Sequence, residues 1–362
     1  MRRRGLLGMT LAATAAYGCR ALPAREPAPG PPDLDAIAAA IVEGGQRLDG
    51  IPAIDHPFYD VVGAEQLPRT VFTPHVGLGS DDDLVDALVA PGGVPHAYPR
   101  FITVWHEVVN ESFAGEPVSI TYCPLTGSTL VFSGRLAGDV GSTFGVSGRI
   151  LHSNLVMFDR ESTSFWPQLL GVAVSGPRKG QKLHQLPLAV TTTLGRWRAR
   201  FPRTLVLTTL TGSLRPYGSW PYGSEYDRDG TLLFPVPKGD DRFAPKHVFY
   251  GVTSGDAAAA VDKAAALERG VIMFEVGGRA HVAIADAALQ AVRVFRAQAG
   301  PRELTLEPYP AGATDRETGS RWSYMGIAIG GELGGERLEQ VPGPEVFWFA
   351  WHAFHPQTLV VA

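Results

Sequence analysis

The chain predicts a β-rich α+β fold of two related halves with few short helices. Three observations carry that expectation: β-branched and aromatic runs bounded by Gly and Pro recur along the chain, helical patterns are sparse, and one ordered set of motifs occurs twice. An apolar content of 45% is ordinary for a globular protein, and 42 Gly and 29 Pro supply the turns that many short strands need. From Asp33 onward about 330 residues remain, enough for two moderate domains.

Val118 to Tyr122 and Thr129 to Phe132 flank a Pro/Gly turn and read as paired strands. Similar runs fall at Leu155 to Phe158, Val172 to Val174, Leu205 to Thr209 and Val248 to Val252. Helical signals are confined to Asp33 to Leu48, Asp81 to Val89 behind a Ser80 cap, Leu194 to Arg200, and the alanine-rich Asp256 to Arg269.

The repeat organises the chain. Asp159-Arg-Glu-Ser-Thr-Ser-Phe-Trp166 recurs as Asp315-Arg-Glu-Thr-Gly-Ser-Arg-Trp322, and Gly171-Val-Ala-Val-Ser-Gly176 as Gly326-Ile-Ala-Ile-Gly-Gly331. Leu183 and Pro187 then match Leu338 and Pro342, while Trp197, Pro202 and Thr204 match Trp351, Pro356 and Thr358. Features kept in both copies read as scaffold, and features found in one copy are the functional candidates. Opposite Cys123 the second copy has Asp286, opposite His106 it has Arg269, and it has no counterpart of Phe144 to Asn154. The expected organisation is an N-terminal half at 33–210 carrying the site, an aromatic Gly/Pro-rich connector at 211–245, and a degenerate C-terminal half at 246–362.

The first residues read as an export signal over 1–19. Arg2, Arg3 and Arg4 precede an apolar stretch, Gly5 to Ala16, too short to span ~30 Å of hydrocarbon. The arginines followed by Gly5-Leu6-Leu7 fit twin-arginine export as well as the ordinary route. Ala16-Tyr17-Gly18-Cys19 resembles a lipobox, with Cys19 as the lipidated residue; the alternative is cleavage near Ala21 or Ala24 and a soluble product. The Pro/Ala-rich stretch at 20–32 has the composition of an extended tether. The expected location is the cell envelope facing the periplasm, with a lipid anchor as the only membrane contact. Removal of the signal takes three of 32 basic residues against 36 acidic, leaving a formal charge near −7, the wrong sign for non-specific nucleic-acid binding.

Ala97-Tyr-Pro, Trp105-His-Glu-Val-Val-Asn110, Thr121-Tyr-Cys-Pro-Leu-Thr-Gly-Ser128, Phe144-Gly-Val-Ser-Gly148, Ser153-Asn-Leu-Val-Met-Phe-Asp-Arg160 and Trp166-Pro-Gln168 together resemble the bacterial domain of unknown function 3179 family. The resemblance covers most of the chain beyond the signal and implies an exported or anchored protein without naming an activity. Many members carry a second cysteine where this chain has Thr126. A Cys-x-x-Cys pair cycles between dithiol and disulfide or gives two thiolates to a metal; Cys123 with Thr126 does neither alone.

Three readings of Cys123 stand open. It is a nucleophile with His106 as base and Asn110 or Asp159 orienting the imidazole; or it joins His106, His152 and Met157 in the soft ligand set that copper favours; or it is a small buried hydrophobe. Tyr122, Thr126, Ser128, Ser153, Asn154 and Gln168 are candidate pocket residues around it. Of the adjacent His106 and Glu107, side-chain alternation favours His106 alone. Tyr217, Trp220, Tyr222 and Tyr226 in the connector either stack on a ligand or lock the halves together. No Walker-type loop, dinucleotide glycine set, His-Glu-x-x-His helix or Gly-x-Ser-x-Gly elbow is present. The expectation is a binding or structural module with an unidentified ligand; the alternative is a thiolate-dependent enzyme or copper-type protein.

Overall fold

The computed structural model describes residues 32–61, 79–136, 141–187, 189–223, 226, 230–237 and 239–362. The export signal, Cys19 and nearly all of the tether lie outside the described residues. Residues 32–362 form one compact unit that is β-rich with few short helices. Among the described residues no helix is long and apolar enough to cross a membrane.

In the N-terminal part, strands Val190–Thr193, Leu84–Val89, Pro95–Pro99, Leu205–Leu207 and Tyr59–Val61 lie side by side in that order, with helix Leu194–Arg200 linking the first to the fourth. A second sheet holds Val108–Phe113, Glu116–Cys123, Ser128–Ser133 and Gln185–Leu186; a third holds Val42–Glu43, Phe144–Leu151, Asn154–Asp159 and Phe165–Pro167. In the C-terminal part, Glu345–Phe347, Val248–Ser254, Ala257–Asp262 and Leu359–Val361 form a sheet whose pairing directions repeat those of the first four strands above, again with a helix, Trp348–Phe354, in the same connection. The Val271–Val276, Arg279–Asp286 and Ala291–Arg296 meander follows it.

Matching residues make matching bonds. Trp166 Nε1 donates to Asp159 Oδ2 at 3.0 Å and Trp322 Nε1 to Asp315 Oδ2 at 2.8 Å; Trp197 Nε1 donates to Thr204 Oγ1 and Trp351 Nε1 to Thr358 Oγ1, both at 2.9 Å. Burial alone would push the Asp159 and Asp315 carboxyls up, yet bonds from the tryptophans and from Ser162 or Thr318 hold both below the usual carboxylate range. The Asp-Arg-Glu turns are therefore scaffold, and Asp159 does not orient an imidazole.

Four expected elements differ. Asp81 to Val89 is not a helix: Leu84–Val89 is a central strand, because neighbours on both sides use its backbone and the Asp86 carboxylate is answered by the Arg100 guanidinium at 2.9 Å. The first helix covers only Leu34–Ala39, since Val42–Glu43 pairs with Arg149–Ile150 instead of continuing the coil. Asp256 to Arg269 splits into strand Ala257–Asp262 and helix Lys263–Arg269, where the Asp262 side chain caps Ala264 and Ala265. Val172 to Val174 makes isolated bridges only.

Candidate functional site

The Cys123 turn is one of the places where the two parts of the chain meet, as Thr192 and Leu289 are another. Strand Glu116–Cys123 ends at Pro124, and the chain turns back through Gly127, at φ +63°, into Ser128–Ser133. A Cβ at Gly127 would fall 2.8 Å from the Phe347 ring, and Phe347 N donates to Thr126 O at 3.0 Å, so only glycine admits both the backbone conformation and the contact.

Behind that turn lies a sealed polar network. Ser128 Oγ donates to Gln168 Oε1 at 2.8 Å, which leaves the Thr126 hydroxyl to donate to Ser128 across another 2.8 Å. Asn154 Nδ2 donates to Thr126 Oγ1 (3.0 Å) and Gln168 Oε1 (2.9 Å), and Gln168 Nε2 reaches Thr121 Oγ1 at 2.9 Å. Thr126, Ser128, Asn154 and Gln168 thus converge, but all four are fully buried and bonded to one another rather than set on the wall of a cleft. Tyr122 is buried beneath the Arg100 guanidinium. Ser153 donates to Phe234 O at 3.0 Å, and with His152 it forms the two-residue hairpin loop between Phe144–Leu151 and Asn154–Asp159, where φ of +51° and +63° fit a type I′ turn.

The Cys123 thiol is buried, accepts from Leu155 N at 3.3 Å and points its S–H toward Ser153 O. Burial first, and the neighbouring Glu107 charge second, push it up to about 11, so it is a neutral thiol at pH 7. His106 is engaged elsewhere. Its Nδ1 lies 2.7 Å from Pro52 O, which can only accept, so Nδ1 carries the proton and Nε2 accepts from the Tyr217 hydroxyl at 2.6 Å. Burial pushes its imidazole down to about 4. No hydrogen bond joins His106 to Cys123. His152 packs edge-on against Phe354 and Met157 sits in the apolar core, so the four soft ligands considered for copper are used separately. Among the described residues no group of three or more His, Cys, Asp or Glu side chains is placed to hold a metal ion. Asn110, the other candidate orienting residue, is bonded to Asp55, Ser119 and the Phe144 backbone.

The residue that faces a cleft is Glu107. Glu107 N donates to Thr103 O at 2.7 Å, closing the turn after helix Arg100–Thr103 in the left-handed conformation, φ +59°, that glycine ordinarily supplies there. For a non-glycine residue this costs about 1–2 kcal/mol. The side chain is 6% exposed and lines a cleft of about 260 Å³ with Trp105, Tyr222, Phe234, Arg149 and Arg215. Gly44, Gln46, Gly50, Val146 and Gly148 line it as well. The one hydrogen bond of the Glu107 carboxyl among the described residues is a long one, 3.4 Å, from the Tyr222 hydroxyl, and no cation pairs with it there. Burial pushes the carboxyl up to about 8.

A raised acid has a definite linkage sign. The folded protein holds the Glu107 proton that the unfolded chain gives up near the ordinary glutamate value, so this residue's contribution to stability is full in acid and is lost as pH rises towards about 8. Glu107→Gln should abolish that part of the pH dependence in urea unfolding series from pH 5 to 9; an unchanged slope would show that Glu107 titrates normally.

The connector tyrosines complete the site. The Tyr217 hydroxyl meets His106, Tyr222 meets Glu107, and Tyr226 donates to Leu125 O at 3.0 Å. Each plants its oxygen on the N-terminal part, and Arg215, Pro221 and Tyr222 of the connector line the cleft. Alternation favours His106 over its neighbour, and no signal in the sequence singles out Glu107.

Fold and site together define a β-rich protein with a small, aromatic-walled cleft over a buried carboxyl. The chain matches the family described as "Protein of unknown function (DUF3179)" across residues 48–358 and belongs to that family. No curated protein and no solved structure matches it.

Proposed function

We propose that this chain is a small-molecule binding module of the cell envelope, anchored by lipid at Cys19, and that its two halves descend from one duplicated unit. The observation that carries the binding reading is the Glu107 carboxyl, buried, held in a costly backbone conformation and without a cation partner among the described residues, in a cleft with aromatic walls. A buried carboxyl with one long hydrogen bond keeps acceptor capacity that a ligand can use. The repeated motifs, the matching sheet order and the paired Trp–Asp and Trp–Thr bonds support the duplication. The signal-like start and Ala16-Tyr17-Gly18-Cys19 support the anchor.

Ligand-observed NMR with a metabolite library tests the binding reading: hits on the wild type should weaken in Tyr222→Ala, which removes one wall. Hits that bind both proteins equally, or no hits, would overturn the cleft as a site. Cys19→Ser should move the protein from the membrane to the soluble fraction; unchanged fractionation would remove the lipid anchor. For the thiolate alternative, the buried neutral thiol predicts slow iodoacetamide labelling of Cys123 at pH 7 until denaturant is added. Rapid labelling of the native protein would restore that alternative.

A further inference from the structure

We propose that the Glu107 cleft binds a small zwitterion, a free amino acid or a compound of that kind, with its ammonium group on the Glu107 carboxylate and its carboxylate on the Arg215 guanidinium. This rests on the reading of the cleft as a ligand site and names the ligand's chemistry.

An apolar molecule would seal the Glu107 carboxyl away from water with only the long Tyr222 bond, at a cost of about 1–3 kcal/mol set against the apolar contact. A simple cation would satisfy Glu107 but would share the cleft with two guanidinium groups; a simple anion would satisfy those and leave Glu107. The two arginines are not equivalent. Arg149 is bonded to Glu43 at 3.2 Å and stacked on the Phe165 ring, so its charge is already answered. Arg215 donates to Gly50 O at 3.3 Å, and among the described residues no carboxylate pairs with it. A carboxyl with one long hydrogen bond and a half-exposed guanidinium with no carboxylate partner among the described residues line one cleft, and a ligand carrying both charges engages both.

Size and walls agree. A cleft of about 260 Å³ is at or below the lower end of ordinary ligand pockets, about 300–1,000 Å³, which suits a molecule of few heavy atoms. Trp105 and Tyr222 flank the acid, and aromatic faces beside a carboxylate favour an ammonium group.

Ionisation supplies a readout that packing alone would not. The titratable groups about Glu107 are the Tyr222 hydroxyl and the Cys123 thiol, both kept protonated by burial, with Arg149 and Arg215 on the cleft wall. Glu107 is mostly protonated at pH 7, so an arriving ammonium group must displace that proton to solvent, and no redox or covalent step is involved.

The test is calorimetric titration of the wild-type chain at pH 7 with a panel of free α-amino acids, methylamine and propionate, in two buffers of different ionisation enthalpy. At least one amino acid should bind tenfold or more tightly than methylamine and propionate, with release of close to one proton. Glu107→Gln should weaken it at least tenfold and remove the proton release; Arg215→Gln should weaken it while keeping the proton release. Tight binding of methylamine or propionate in preference to every amino acid, lost in Tyr222→Ala, would overturn the zwitterion while leaving the cleft as a site. Amino-acid binding unaffected by Glu107→Gln would overturn the proposal, and silence from this panel and from the metabolite library alike would overturn the binding reading as well.

Discussion

Replacing Gly148 by alanine should destabilise the fold by about 2–5 kcal/mol and deform the cleft in the same stroke. Gly148 sits at φ +74° where the register between Phe144–Leu151 and Asn154–Asp159 shifts, a bulge that turns the strand edge toward residues 44–50. A Cβ there would lie 2.0 Å from Gln46 O and 2.6 Å from its carbonyl carbon. Those atoms are backbone, and the segment is tied down by Gly44 N donating to Gly148 O at 2.8 Å and Asp49 N to Val146 O at 2.9 Å. The left-handed conformation costs alanine about 1–2 kcal/mol and the overlap about 1–3 more. Because Gly44, Gln46 and Gly50 line the cleft, relief of the overlap moves its wall. Urea unfolding should show a lower midpoint at unchanged slope, and ligand binding should fall with it. A loss of stability under about 1 kcal/mol would mean that the bulge accommodates a side chain and that Gly148 does not position this wall.

Gln168→Leu should cost about 3–5 kcal/mol through the network under the Cys123 turn. The Gln168 carboxamide donates to Thr121 Oγ1, Thr121 O and Ser128 O and accepts from Ser128 and Asn154. Leucine has similar bulk and removes every one of these bonds at a position with no access to water. Each stranded buried group costs about 1–3 kcal/mol, and several are stranded together. Chemical unfolding measures the loss; a change below about 1 kcal/mol would show that Asn154, Thr126 and Ser128 satisfy one another without the glutamine. Ligand binding at the cleft should persist in folded protein, since Gln168 does not line it.

The two halves of the site differed in how readable they were. Thr126 and Ser128 stand out as hydroxyl neighbours of Cys123, and Asn154 and Gln168 because the recurring motifs carry no counterpart of them; these four do come together. Their meaning changed with burial: polar side chains that look like a pocket in one dimension are a closed network once every donor has an acceptor within 3.0 Å. Cys123 reads alike in reactive and packed settings, and only the surrounding atoms set its protonation. The helix expected over Asp81 to Val89 failed for a related reason, since a strand buried on both faces shows no period-two alternation to distinguish it.

The β-rich character, helix Leu194–Arg200 and the Asp159–Trp166 and Asp315–Trp322 turns were determined by sequence alone, because pattern, propensity and local bonding all act within a few residues. Which of two neighbours, His106 or Glu107, would face the cleft was decided only in three dimensions. A left-handed residue at Glu107 breaks the alternation on which spacing arguments rely. That conformation closes the turn onto Thr103, and the side chain it presents meets Tyr222, a contact that spans more than a hundred residues of chain.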